Sequence, residues 1–176
     1  MVKLKIDNSK PVQSDFKGHG AVYHGFADMP DAYGRILTEE KRELEADIVG
    51  KMNLKLARTA FTWKWIWDEK TSSWNWDSEI MTSFYAWLER MKKRNVEVAL
   101  HVGWHCPQDI LGNSGFYLMN PNPLAIKGDW EKSVGNYADF VNEVVYQIIE
   151  KRGFTNVTTF VMFTEPIYSE ERCKFG

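Results

Sequence analysis

Segments typical of β-strands alternate with segments typical of helices along this chain of 176 residues. Four apolar runs rich in β-branched residues fit strands, and they cover residues 20–26, 54–61, 96–102 and 157–163. Three stretches with apolar residues at helical spacing separate them, at about 38–52, 77–94 and 130–152. This alternation predicts a parallel sheet with right-handed crossovers, which leaves a doubly wound open sheet or a (β/α) barrel.

Capping signals mark the ends of the predicted helices. Thr38 is the predicted N-cap of the first helix, and Asp77 or Ser78 that of the second. Gly153 is expected to end the third helix. Three apolar residues of the first helix recur at i, i+4 and i+8 and predict its apolar face: Leu44, Ile48 and Met52.

The segments that follow the predicted strands favour the barrel. None of them is a glycine-rich phosphate loop of the dinucleotide-binding or P-loop type, and several are long and rich in Trp, His, Asp and Pro. Barrel enzymes build their sites from long segments at the carboxyl ends of their strands. The predicted fold class is therefore α/β, of the TIM (β/α)8-barrel type, with about the first four β/α units in a single domain of residues 1–176.

Charge and composition argue against several functional classes. With 22 Lys and Arg against 24 Asp and Glu, the net charge of −2 offers no electrostatic surplus for nucleic acid. The sequence has no run of 18 consecutive apolar residues, and its N-terminus lacks the apolar core of a signal peptide. We therefore expect a cytoplasmic protein without a membrane partner, or a secreted protein if a leader was removed. Cys106 and Cys173 have no metal-ligand spacing, and neither a metal nor a cofactor is expected.

The most specific motif is Phe163-Thr164-Glu165-Pro166, at the end of the fourth predicted strand. Pro166 lacks the N–H that a central strand needs, so the strand must stop at Glu165 and present its carboxylate at the mouth of the barrel. Glu165 is therefore a candidate catalytic residue. The alternative is an acidic side chain that ends a strand in solvent.

The strand ends together resemble those of clan A glycoside hydrolases, the superfamily that contains families 5 and 39. The resemblance extends over about residues 18–168 and rests on Glu-Pro after strand four, Arg-Thr in strand two and Trp and His after strand three. It implies retaining, cellulase-like hydrolysis of O-glycosidic bonds in carbohydrate metabolism, with a carbohydrate as substrate. In that clan the acid/base is the Glu of an Asn-Glu-Pro motif, which corresponds to Glu165. Thr164 stands where Asn is expected, and its shorter side chain with one donor would hold the sugar 2-hydroxyl poorly or through water.

The resemblance also assigns substrate-binding residues to other strand ends. Arg58 corresponds to the clan's arginine that keeps the nucleophile ionised, because a positive neighbour lowers the pKa of a carboxylate. The alternative for Arg58 is a structural ion pair with a helix acid. His24 is a candidate at the mouth from strand one. Trp104 and His105, beyond strand three, are candidates for stacking on a sugar and for hydrogen bonding, with structural roles as the alternative.

Five tryptophans lie between the second strand and the second helix. Trp63, Trp65 and Trp67 alternate, so an extended segment would place all three on one side. We expect at least one of them, with Trp63 as the candidate, to form a platform for a sugar and the others to pack. Trp74 and Trp76 are interpreted as structural residues that lead into the second helix.

A retaining enzyme needs a second carboxylate, at about 5–5.5 Å from the first. In clan A this nucleophile is a Glu on strand seven, and the chain has only four predicted strands. Glu143 and Glu150 follow the outward face of the third helix, so neither is a convincing substitute. We therefore expect the isolated chain to have at most trace activity.

The inner face of a half barrel would lack a covering layer. Residues such as Leu54 or Leu56, Ala99 and Val161 would meet water there. The predicted partner is the C-terminal half of the barrel, or further copies of the chain in a homo-oligomer. The alternatives to an enzyme are a non-catalytic carbohydrate-binding domain and a self-assembling half barrel.

Overall fold

Four parallel strands form the central sheet of the protein. The computed structural model describes residues 19–22, 38–102, 123–124, 126 and 129–162. The central strands are β1 (His19–Val22), β2 (Leu54–Ala60), β5 (Glu97–His101) and β6 (Val157–Val161). The short strands β3 (Trp67–Asp68) and β4 (Ser73–Trp74) form a separate antiparallel hairpin. The helices are α1 (Glu39–Lys51), α2 (Glu79–Lys93) and α3 (Trp130–Val145).

The central strands lie in the sheet in their order along the chain, β1-β2-β5-β6, and each pairs in parallel with the next. A helix joins each of these pairs: α1 leads to β2, α2 to β5 and α3 to β6. The predicted α/β class with a parallel sheet is therefore confirmed. In the described part of the chain the sheet is open, with β1 and β6 at its edges.

Side-chain caps fix where the helices begin. The Thr38 hydroxyl accepts a hydrogen bond from the backbone N–H of Lys41 at 3.4 Å, as predicted. Of the two candidates for α2, Ser78 is the N-cap, and its hydroxyl accepts from the N–H of Met81 at 3.3 Å. Each cap satisfies an N–H that has no partner within the first helical turn.

Each helix returns to the sheet through one residue in the left-handed region. These residues are Asn53 (φ 53°) before β2, Asn95 (φ 55°) before β5 and Gly153 (φ 69°) before β6. Gly and Asn adopt this conformation at low cost, and it ends a helix by turning the chain sharply. After Val145, α3 continues through a π-helical turn, Tyr146–Lys151, so the predicted stop at Gly153 is confirmed.

One face of the sheet packs against the helices and forms the hydrophobic core. Ala57 of β2 and Val98 and Leu100 of β5 are buried on this face. Phe61, directly after β2, is fully buried at the centre of an aromatic cluster. Its ring lies 5.3–6.2 Å, between centroids, from those of Trp65, Trp76, Phe84 and Phe140.

The opposite face carries the alternate residues of the same strands and packs against none of the three described helices. Leu56 on this face is 37% exposed, and Val161 is half-buried. The expectation that Ala99 meets water is wrong, because its side chain is 5% exposed. Ala99 lies on an inner strand between Arg58 and Thr159, and both of these neighbours have longer side chains than its single methyl group.

Helix α1 does not bury the apolar stripe predicted for it. Leu44, Ile48 and Met52 are 57%, 48% and 61% exposed, and the helix instead buries Ala46 and Val49. The cause is a second stripe, of acids, which faces Arg90 of α2 and Arg94, the residue that follows this helix. Five residues form this ion-pair network: Glu39, Glu43, Asp47, Arg90 and Arg94.

The arginines of this network anchor it to α2. Arg90 is 5% exposed and donates to Glu39 and, at 2.8 Å, to Glu43. Arg94 donates to Glu43 at 2.9 Å and to Asp47 at 2.6 Å. Ion pairing therefore sets the rotation of α1 about its axis and turns its apolar stripe away from α2.

No described helix has both the length and the apolar character needed to cross a bilayer.

Candidate functional site

The carboxyl end of the sheet brings Arg58 and His101 to one face. Arg58 of β2 lies opposite Ala99 of β5, and His101 lies opposite Ala60 two positions further along. Because side chains alternate along a strand, Arg58 and His101 share the face that α1, α2 and α3 leave uncovered. His101 is 2% exposed and Arg58 is half-buried. The sheet therefore brings two nitrogen-bearing side chains, one half-buried and one buried, to the end where parallel sheets place their sites.

Trp63 follows β2 but lies mostly in the core. It begins a 3-10 helix, Trp63–Trp65, that the Thr62 hydroxyl caps by accepting from the N–H of Lys64. Only 8% of Trp63 is exposed, and the Lys64 ammonium group lies 5.8 Å from the centroid of its ring. Most of the indole thus already has protein neighbours, which leaves little surface for stacking on a sugar.

The expected extended arrangement of Trp63, Trp65 and Trp67 is wrong. The 3-10 turn at the start of this segment breaks the alternation, so the three side chains have separate environments. The Trp65 ring packs edge-on against Phe61, whereas Trp67 pairs with Trp74 across the β3–β4 hairpin. Trp76 is 7% exposed and stacks on Phe61, in line with its structural interpretation.

Five predicted site residues lie outside the described residues. They are the catalytic candidate and four substrate-binding candidates: Glu165, Thr164, Trp104, His105 and His24.

Met162, the last described residue before the Glu165 motif, is hydrogen-bonded to α3. Tyr137 of α3 donates a hydrogen bond from its hydroxyl to the backbone carbonyl of Met162 at 3.1 Å, just after β6. Burial raises the pKa of Tyr137 to about 12, so the phenol keeps its proton and remains a donor. This contact fixes the end of β6 three positions before Glu165 along the sequence.

Trp74 packs against Trp67, in line with a structural role, but it also lines a cleft that the sequence did not predict. It lines a cleft of about 430 Å³ against residues of α3, among them Asp139 and Glu143. Glu143 is half-buried and accepts a hydrogen bond from the side chain of Gln147 at 2.9 Å. No local signal could have predicted this cleft, since its walls come from segments about 60 positions apart in the sequence.

Neither a protein-family model nor a curated protein matches the chain. Among solved structures, the crystal structure of a β-glucosidase from Exiguobacterium marinum is similar, with a TM-score of 0.53 and 14% sequence identity. The match covers 91% of this chain and 38% of the β-glucosidase chain, so the chain spans well under half the length of that protein. The similarity supports a glycoside hydrolase-like α/β fold.

Proposed function

We propose that the chain is about the first four β/α units of a retaining glycoside hydrolase with a (β/α)8 barrel. The observation that carries this proposal is the fold similarity to a β-glucosidase over 91% of the chain. The order β1-β2-β5-β6, with one helix between successive strands, is also the order that consecutive units of such a barrel have.

In the proposed mechanism Glu165 is the general acid that protonates the leaving oxygen and then the base that activates water. The Thr-Glu-Pro motif begins three positions after Val161, the last residue of β6, and the Tyr137 hydrogen bond holds the carbonyl of Met162 between them. Thr164 would contact the sugar 2-hydroxyl with a single hydroxyl. Trp104, His105 and His24 remain proposed sugar contacts. Only 8% of Trp63 is exposed, so its contact area with a sugar would be small.

Arg58 is proposed to serve the second carboxylate. Its side chain belongs to the uncovered face of β2, and His101 of β5 is its diagonal neighbour on the adjacent strand. A nucleophile arriving on that face would be kept ionised by a positive neighbour, since an opposite charge within a few ångströms favours the charged form of a carboxyl. The nucleophile itself would come from a strand beyond this chain.

Exposed apolar side chains on the sheet and on α1 support the proposal of a covering partner. Leu56 is exposed on the sheet, and Leu44, Ile48 and Met52 are exposed along α1. Large exposed apolar side chains that recur along one stripe are typical of a contact surface. The proposed partner is the C-terminal part of the barrel, with a second copy of this chain as the alternative.

The test is hydrolysis of cellobiose by the chain alone and by the chain joined to the polypeptide that its gene encodes after residue 176. We expect trace turnover at most from the chain alone and clear turnover from the joined protein. General acid–base catalysis contributes about 10²–10⁴-fold, so Glu165→Gln should lower kcat/KM by about that factor. Glu131→Gln, an exposed acid in the first turn of α3, is the matched control and should keep full activity.

Robust turnover by the chain alone that Glu165→Gln abolishes would contradict the need for a missing strand. A stop codon after residue 176, together with saccharide binding and no turnover, would favour the non-catalytic carbohydrate-binding domain.

A further inference from the structure

The cleft beside Trp74 lies apart from the uncovered face that carries Arg58 and His101. Its walls come from the β3–β4 hairpin, which follows β2 in the chain, and from α3, which precedes β6. The cavity measures about 430 Å³, within the range of small-molecule sites. Seven residues line it: Trp74, Pro123, Leu124, Asn136, Asp139, Phe140 and Glu143.

One wall is a polar stripe along α3. Asn136, Asp139 and Glu143 follow one another at i, i+3 and i+7, which places them on the same side of the helix. The Asn136 amide donates to the carbonyl of Leu124 at 3.2 Å, so one of its donors is engaged and its orientation is fixed. Asp139 is exposed, and Glu143 is oriented by its hydrogen bond from Gln147. The stripe therefore offers two carboxylates as hydrogen-bond acceptors.

The other wall is the indole of Trp74, held in place on two sides. The Trp67 ring lies across the hairpin with its centroid 4.9 Å away and an interplanar angle of 63°. The Phe140 ring lies 5.3 Å away, tilted by 42°. Trp74 is half-buried, and its neighbours already restrict its side chain. Binding a ligand would therefore cost little side-chain entropy, which favours binding.

We propose that this cleft binds a neutral saccharide, with an apolar C–H face of a pyranose against Trp74 and vicinal hydroxyls donating to Asp139 and Glu143. An aromatic surface opposite hydrogen-bond acceptors matches a sugar, which carries C–H faces and O–H edges on the same ring. Two carboxylates disfavour an anionic ligand such as a phosphate. Among the described residues no group of three His, Cys, Asp or Glu side chains could hold a metal ion, so a metal site is the weaker interpretation.

The choice of a saccharide rests on the proposed function, but the cleft is a separate place in the fold, and Arg58 does not line it. It would hold sugar units on the helix side of the sheet, whereas Arg58 lies on the opposite face. The cleft is therefore a second binding site for the same class of ligand.

The test is a titration of the full chain with cellobiose, observed through the indole N–H signals of the tryptophans by NMR. We expect the Trp74 signal, assigned with Trp74→Phe, to shift in a saturable way with a dissociation constant of about 1 mM. Asp139→Ala should weaken binding by about tenfold, since hydrogen bonds to charged groups contribute at least that much. Glu131→Ala removes an exposed acid of the same helix that does not line the cleft, and it should leave binding unchanged.

Two results would overturn the cleft proposal. One is a Trp74 signal that cellobiose does not shift, or shifts equally in Asp139→Ala. The other is a stronger response to choline than to cellobiose, which would show a site for an organic cation. If the joined protein hydrolyses cellobiose but cellobiose does not shift the Trp74 signal, the cleft proposal is wrong and the proposed catalytic function stands. If cellobiose shifts the Trp74 signal but the joined protein does not hydrolyse it, the proposed catalytic function is wrong and the cleft proposal stands.

Discussion

The two faces of the central sheet differ in what covers them and in what they carry. On the helix side Leu100 is fully buried among aromatic and aliphatic side chains. On the other side Leu56, from the neighbouring strand, is 37% exposed and shares its face with Arg58 and His101. The helix side holds the hydrophobic core, while the face that the three described helices leave uncovered carries the polar side chains Arg58 and His101, the latter buried.

The sharpest way to test this difference is one substitution made on each face. Leu100→Ala should lower the free energy of unfolding by about 2–5 kcal/mol, because it leaves a cavity in a packed core. Leu56→Ala should cost about 0.5 kcal/mol, since its side chain already meets solvent. Urea unfolding monitored by tryptophan fluorescence measures both. Equal costs would show that the two faces are packed alike.

Self-association tests whether the uncovered face is a contact surface. We expect sedimentation equilibrium of the chain alone at micromolar concentration to give a particle larger than 20.5 kDa. Leu56→Glu should weaken association at least tenfold, or about 1.4 kcal/mol, because a carboxylate would be desolvated in the contact. Lys55→Glu, at the adjacent exposed position on the helix side, is the control and should have little effect. A monomer at all concentrations would contradict this prediction.

Tyr137 joins the helix layer to the end of β6. Tyr137→Phe removes the hydroxyl that donates to Met162, which should lower the free energy of unfolding by about 0.5–1.5 kcal/mol. Hydrogen exchange at the end of β6 should accelerate at the same time. Tyr146→Phe, at a position 52% exposed in the following π-helical turn, should change neither measurement. If both variants behave alike, the Tyr137 contact does not fasten the strand.

The smallest effect concerns pH and the ion-pair network between α1 and α2. Hydrogen bonds from Arg94 and Arg90 lower the pKa of Glu43 below its usual value of 4.5. A lowered folded-state pKa stabilises the protein above the unfolded-state value, and this contribution is lost as pH falls through the folded-state value. Stability should therefore fall with acidification below about pH 4.5 more steeply in the parent than in Glu43→Gln. Glu40→Gln, an exposed acid of the same helix, should follow the parent curve.

Much of the fold could be predicted because its signals are local. Periodicity located the four central strands and three helices, and Thr38 and Gly153 marked helix ends through hydrogen bonding and backbone conformation. The β3–β4 hairpin was missed, since strands of two residues are too short to show alternation. The apolar face of α1 was predicted wrongly because ion pairs with Arg90 and Arg94 set the rotation of that helix.

Predictions about the site were limited by contacts between distant segments. Periodicity located Arg58 in the second strand, but the face that it shares with His101 depends on the register between β2 and β5. Periodicity failed for Trp63 and Trp67, where a 3-10 turn breaks the period. The cleft beside Trp74 could not be predicted at all, since it exists only where the hairpin meets α3.

The sequential order of the strands has a consequence for how the chain folds. Each central strand pairs with the strand that precedes it by one helix, so during synthesis every new strand meets a neighbour that has already left the ribosome. The β5–β6 pairing closes a longer segment than the β2–β5 pairing, yet closure entropy grows only with the logarithm of length, so the added cost is about 0.3 kcal/mol. Assembly can thus proceed from β1 towards β6, which is the later of the two edge strands to be synthesised in the described part of the sheet.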